Sequence, residues 1–515
     1  MKSLAILLLL LLVGIISAAA EKPAPKLPVG KETTYVTGPI DKDGYIDYEA
    51  ALNERLGKGI TPEKNANVLL WKAFGPTPGG NKKPPAEYFT RLGMKEPPER
   101  GDYFIRLQVY MKDVLKLKPD DFETLHDQQS RATKRAWGAK DFPDIAAWLT
   151  ANEKPLAVVV EATKRPAYFN PLVSDRAGDK PVYLIGALLP SVQSCREVAN
   201  ALTARALLKL AEGKEPEAWA DLLAAHRLAR HLSHCATLVE ALVGVAIGQV
   251  AHNATVAYLE RADLTSKQLL DRLKELQELP PTVPMANKVD LGERSFLLDA
   301  LQNIRRGGFD GDTKPTPEEL KALGTIDWEP ALRFGNKTYD RLAAAMRLPD
   351  RAAREKEFDA IDADFQAIKK KNRGFPDLQK LVADGGTDKE IGKQLGKDIG
   401  EILVALLMPG VRGCQASFDR SRQLERNLHV AFALAAYRKD TGKYPAQLAD
   451  LAPKYLATVP DDIFTGKPLI YKPTEKGYLF YSVGANGKDD GGRWHDDSPP
   501  GDDPGVRMPL PPLKK

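Results

Sequence analysis

Cysteine is scarce: Cys195, Cys235 and Cys414 are the only three in 515 residues, and they lie far apart. A disulfide framework is therefore not what organises the chain. Catalytic signatures are missing as well. There is no Gly-x-Ser-x-Gly elbow, no His-Glu-x-x-His, no phosphate-binding glycine loop ending in Lys-Ser/Thr and no dinucleotide fingerprint. Nor does one sign of charge dominate, since 74 basic and 69 acidic residues leave a net charge of only +5. That balance describes a mixed, solvated surface and argues against a dedicated nucleic-acid binder, which gathers basic residues into a patch.

Long apolar runs are confined to the start of the chain. Lys2, the stretch Leu4 to Ile16 and Ser17-Ala18-Ala19-Ala20 form the charged, apolar and small-residue regions of a cleavable signal peptide over 1–20. The run is short for a membrane-spanning helix, and an uncleaved anchor is the alternative. No later segment reaches spanning length without charge. The expectation is an exported protein, periplasmic or extracellular, with no integral membrane span after cleavage.

The remaining chain is long enough for several domains with real cores. Residues 21–190 read as a mixed, irregular N-terminal region. It opens with a Pro- and Lys-rich linker from Glu21 to Lys31 and continues into a helix from Tyr48 through Leu56. Thr61-Pro62-Glu63 reads as a second helix start, carrying Val68, Leu69 and Trp71 and ending at Gly75. Asn53 and Asn65 read as helix-surface and cap groups, and Asp41-Lys42-Asp43-Gly44 as a turn, because later calcium-loop ligands are missing.

Residues 191–409 are strongly helical. Val198, Leu202, Ala206 and Leu210 line one face of a first helix, and Pro216 starts a second. The pair resembles a tetratricopeptide-type hairpin, but no strict repeat follows, so an irregular antiparallel helical bundle or solenoid is expected. In the third helix, Ala236 to Leu259, Gly244 and Gly248 stand four apart and permit a close crossing. Helices follow from Thr265-Ser266 and from Met285 to Arg306, then a loop-like break from Gly307 to Trp328, then further helices to Leu407. His226, His231, His234 and Cys235 are the densest potential soft-metal ligands, with His231 and Cys235 sharing a helix face. His226, five positions before His231, lies well off that face, and no second cluster completes a tetrahedral set, which favours ordinary packing.

From Leu424 the plan is most legible. Leu424, Leu428, Ala431, Phe432 and Ala435 share a helix face that should end at Asp440-Thr441-Gly442. Pro445 would start a short helix carrying Leu448 and Leu451, and Leu469 to Lys472 and Tyr478 to Val483 read as a hairpin. Asn486, Asp489, Asp490, Asp496, Asp497, Asp502 and Asp503 cluster around Gly487, Gly491, Gly492 and Gly501. Oxygen ligands on a flexible backbone suit a hard cation such as calcium, and a solvated acidic turn is the alternative. Residues 509–515 read as a disordered tail.

The arrangement over 410–508 resembles the globular part of type II secretion major pseudopilins. The likeness rests on Ala435-Ala436-Tyr437, Asp440, Gly442, Tyr444-Pro445, Leu448, Tyr455-Leu456, Pro460, Asp462, Gly466, Pro468, Tyr471 and Tyr481-Ser482-Val483-Gly484-Ala485-Asn486-Gly487. It implies a small α+β module with calcium in the acidic loop. Ile463 stands where the pattern has proline, Thr465 adds length, and Gln415 to Arg426 is too polar for a pilin anchor helix. The resemblance therefore implies a fold and not a pilus role. The whole order, with Asp489-Asp490-Gly491-Gly492 near its close, resembles a group of large exported bacterial proteins and implies compartment and architecture only. The function expected is a non-enzymatic envelope scaffold or binding protein with protein partners. Alternatives are an exported hydrolase acting on cell-envelope polymers through paired carboxylates, and docking to a secretion apparatus.

Overall fold

The computed structural model describes residues 26–78, 83–174, 184–187, 189–307, 317–371, 376–407 and 410–513. The signal-peptide reading of 1–20 lies outside the described residues. The protein is mainly helical, 60% helix against 4% strand, with one three-stranded antiparallel sheet near the C-terminus.

The described part of the N-terminal region is mostly helical, joined by extended chain that makes isolated bridges such as Asn65 with Ala167. Its longer helices are α1 (Tyr48–Gly57), α2 (Ala66–Phe74), α3 (Ala86–Leu92), α4 (Phe122–Ala132), α5 (Pro143–Ala151) and α6 (Glu153–Thr163), the last absorbing the apolar run at Leu156. Buried asparagines tie these helices to extended chain. Asn65, not Thr61, caps α2: its side chain accepts from Asn67 N, and it also exchanges hydrogen bonds with the Phe169 backbone at 3.0 Å each way. Asn53, read as a surface group, is buried and pairs with both backbone groups of Leu172. Each such bond satisfies a peptide group that no ladder reaches. The linker reading fails from residue 26 onward, because Lys26 N donates to Gly44 O and Leu27 is buried.

The middle of the chain holds α7 (Val192–Ala211), α8 (Glu215–Leu232), α9 (Leu238–Arg261) and α10 (Ser266–Gln277). Reciprocal capping boxes, Thr237 with Glu240 and Thr265 with Gln268, start α9 and α10 by satisfying N–H groups that the first helical turn leaves open. After a π turn at Val289–Glu293 come α11 (Arg294–Arg305), α12 (Pro317–Thr325), α13 (Glu329–Arg347), α14 (Arg351–Lys371), α15 (Pro376–Ala383) and α16 (Asp388–Leu407). Helix α12 lies inside the stretch read as a loop-like break. By length and composition, α9 could cross a membrane, and so could the stretch 388–441; 56% of the α9 window is buried inside the protein.

Gly244 is the close crossing anticipated from its spacing. A Cβ there would stand 3.0 Å from Ala229 O and 3.2 Å from Leu232 Cβ, whereas one at Gly248 would meet nothing nearer than 3.7 Å. Replacing Gly244 with valine should therefore destabilise the fold by about 1–3 kcal/mol through overpacking. Gly248→Ala should be neutral or slightly stabilising, since alanine is the better helix former. Urea unfolding of both variants checks the contrast; equal midpoints would refute it.

Helix α17 (Val411–Thr441) closes at Gly442, whose φ of 79° needs no Cβ to be relieved. Pro445 does not start a helix. A single 3-10 turn, Leu448–Leu451, begins instead after Gln447, whose side chain exchanges capping bonds with Asp450. Strands β1 (Ile470–Pro473) and β2 (Tyr478–Tyr481) form the hairpin, and β3 (Gly505–Met508), unread in the sequence, pairs antiparallel with β2. The segment after β3 is docked as far as Pro511. Leu510 N donates to Glu260 at 2.6 Å and Arg135 donates to the Pro511 carbonyl.

Two large apolar cores run through the described residues, beside a smaller cluster of Trp71, Tyr88, Phe89, Leu92 and Val173. One joins α2 to α10 with Leu428, Phe432, Leu451, Phe480 and Val506; the other joins Leu27, Tyr45 and Tyr48 to Met285, Leu298, Tyr339, Phe358 and Phe418. Helix α17 contributes to both.

Candidate metal centre

The loop from Ser482 to Pro504, between β2 and β3, is folded back on itself. Asp462 anchors its start, accepting from Ser482 Oγ at 2.7 Å and Val483 N at 3.2 Å; Asn427 of α17 anchors its end by donating to Pro504 O at 2.8 Å. Gly484 has a φ of 68°, and a Cβ there would stand 2.2 Å from Asp502 O. Only glycine allows the two limbs of the loop this close.

Folding back brings Asp490, Asp502 and Asp503 together, with one carboxylate oxygen of each within 4.8 Å of the others. It is the one such convergence of three metal-ligating side chains among the described residues. Asp503 is 1% exposed, and its Oδ2 accepts from Asp490 N at 2.9 Å and Gly492 N at 2.8 Å. Its Oδ1 and the Oδ1 of Asp502 are buried with no donor. Burial first, then the neighbouring Asp490 and Asp489, push the Asp503 carboxyl up to about 6. The Asp490 carboxyl is held below its ordinary value, chiefly by the Asn486 amide.

The other four expected ligands do other work. Asn486 donates Nδ2 to Asp490 at 3.1 Å while its Oδ1 accepts from Lys488 N, so it braces the cluster. Asp489 accepts from the Tyr481 hydroxyl at 3.0 Å and from Gly491 N at 2.8 Å. Asp497 caps a separate turn at Trp494 N, and Asp496 is exposed beside His495.

Three carboxylates at this spacing repel one another, and Arg493 stands 3.6 Å from Asp490. Two buried carboxylate oxygens without a proton donor are a costly state that a bound cation relieves. An all-oxygen set on a glycine-rich loop fits a hard ion, and calcium over magnesium, which demands stricter octahedral geometry.

The group His226, His231, His234 and Cys235, on and just beyond α8, does not form a comparable set. Helix α8 ends at Leu232, so His231 and Cys235 do not share a helix face as their spacing implied. His231 bonds the Thr163 carbonyl at 3.0 Å and stacks on Tyr168; His226 bonds Thr255 Oγ1 at 3.0 Å; Cys235 is a buried thiol. No protein-family model matches the chain, and no curated protein or solved structure matches it either.

Proposed function

We propose that this is an exported protein of the cell envelope, a non-enzymatic scaffold or binding protein with protein partners. Its helices form an irregular antiparallel bundle, and its pseudopilin-like C-terminal module is stabilised by calcium. The observation that carries the calcium part is the pair of buried, donorless oxygens on Asp502 and Asp503 beside Asp490. Calcium there would pin the two limbs of the loop, and through Asn427 and Asp462 the sheet against α17. The N-terminal charged, apolar and small-residue pattern supports export.

The test is a calcium titration of the full-length protein after chelation, followed by thermal melting. A ligand that binds only the folded state stabilises it by about 2.7 kcal/mol at a hundredfold excess over Kd. A calcium-dependent rise in Tm is expected, lost in Asp503→Asn and retained in Asp497→Asn, whose carboxylate only caps a turn. No shift at millimolar calcium would remove the metal from this reading.

A further inference from the structure

A second concavity lies away from the acidic loop, where the last turns of α1 and α8 meet the chain leaving α6. It is a cavity of about 410 Å³, continuing past Arg55, Leu56 and His234 into a neighbouring space of about 330 Å³. The larger part is lined by Arg55, Lys164, Arg165, Arg227 and Arg230, with no aspartate or glutamate among its lining residues. Five cations come from three separate stretches of chain, so no local run of basic sequence marks the place.

What these cations bond to separates them. Arg230 is neutralised by Glu425 at 2.6 Å, Lys164 by Glu161, and Arg165 spends one nitrogen on the Pro62 and Asn65 carbonyls at 2.7 and 2.9 Å. Arg55 and Arg227 make no hydrogen bond or ion pair with any described residue, and Arg227 is half-buried. Burial pulls the Arg227 guanidinium below its ordinary value. The carboxylate that acts on it from a distance, Glu275, is already held by the Trp219 indole at 2.6 Å and by Arg272 at 3.2 Å. Elsewhere in the protein, buried arginines are matched: Arg205 with Asp221, Arg294 with Asp290, Arg354 with Asp419.

Helix ends explain part of this. The C-terminal carbonyls of α1 and α8 favour cations in their last turns. An arginine drawn there for that reason would bond those carbonyls, however, and Arg227 does not. A partly desolvated guanidinium is satisfied by an oxyanion, which its planar fork grips through two hydrogen bonds. Several hundred Å³ is also the size range of small-ligand sites, and cations lining a low-dielectric cleft concentrate anions in it.

We propose that this cleft is a binding site for a small molecule bearing a phosphate or carboxylate group, gripped by Arg227 and Arg55. The test is calorimetric titration of the full-length protein at low ionic strength, with inorganic phosphate and with citrate in separate arms. Binding of at least one anion is expected, weakened about tenfold or more in Arg227→Gln, as for loss of a charge-assisted bond. It should be unchanged in Arg412→Gln, a remote arginine held by Glu355 and Asp359. Binding in the phosphate arm alone assigns a phosphate ester, in the citrate arm alone a carboxylate, and in both the shared oxyanion chemistry. Should Arg227→Gln fail to melt cooperatively, Arg55→Gln, at an exposed position, carries the same comparison. The proposal is overturned if neither anion binds, if the cleft variant binds like the parent, or if the Arg412 control loses as much.

Discussion

Lowering the pH from 6.5 toward 4 is expected to unfold the protein, with His226 and His252 as the principal causes. Burial holds His226 down to about 3 and His252 to about 4, against an ordinary histidine value of 6.5. Both line the space between α8, α9 and α17. His226 there meets the charge of Arg230 and the rings of His252 and His429. His252 bonds the Leu424 carbonyl, and its Nδ1 is buried without a partner. These depressed values mean that the unfolded chain takes up protons first as acid is added. The stability from the neutral rings is complete above 6.5, declines below it, and is gone once pH falls through the folded values. At about 1.4 kcal/mol per unit, the His226 shift alone is worth a few kcal/mol. His231, held to about 4 against Thr163, adds in the same sense. Asp299 opposes them. Burial raises its carboxyl to about 7, so its contribution is present below its ordinary 3.8 and lost as pH rises through 7. The check is acid titration followed by far-ultraviolet circular dichroism. His226→Gln and His252→Gln should each move the midpoint to lower pH, and an unmoved midpoint in both would show that these rings do not control it.

The second large effect is expected at Arg294, which is 1% exposed. Its guanidinium donates to Asp340 at 2.8 Å and to Asn336 Oδ1 at 3.1 Å, is paired with Asp290, and lies 4.0 Å over the Tyr35 ring. Arg294→Ala should cost about 2–5 kcal/mol, the range for truncating a large buried side chain, because it leaves a void and undoes a cation–π contact; Asp340 is exposed and Asp290 keeps Arg347, so no buried carboxylate is stranded. The loss should also be local. Tyr35 sits at a φ of 63°, unfavourable for a residue with a side chain, and its hydroxyl reaches Asp290 at 3.3 Å. Freed of Arg294, residues 30–36 should exchange amide hydrogens faster than the α7–α9 core. Urea unfolding measures the first effect and hydrogen exchange the second. A variant with parental stability would mean the buried charge contributes nothing net.

How much of this was legible in the sequence depended on the range of the interactions. Helix α10 could be read because Thr265 caps its own first turn, three residues from Gln268. The end of α17 could be read because Gly442 acts on its own turn. Strand β3 could not. Gly505 to Met508 is four residues between prolines, too short to show alternation, and it is a strand because β2 lies beside it. The acidic loop fell between these cases. Seven oxygen-bearing residues looked alike in sequence, and what distinguishes Asp503 from Asp497 is which backbone N–H groups the glycine turns deliver to it. The arginine cleft had no sequence signal, since residues 55, 165 and 227 meet only in the folded chain.

The sharing of both cores by α17 bears on the order in which the chain can acquire structure. One core unites Leu27 and Tyr48 with Phe418; the other unites Leu70 with Val506. Neither closes until its most distant contributors meet, and pairing such remote segments pays loop-closure entropy before any burial rewards it. A ribosome releases the first three hundred residues long before α17 exists. Until then the faces of α9 and α10 that pack on α17 lack their final cover, and it is in that interval that the nascent chain is most exposed to aggregation and most in need of a chaperone.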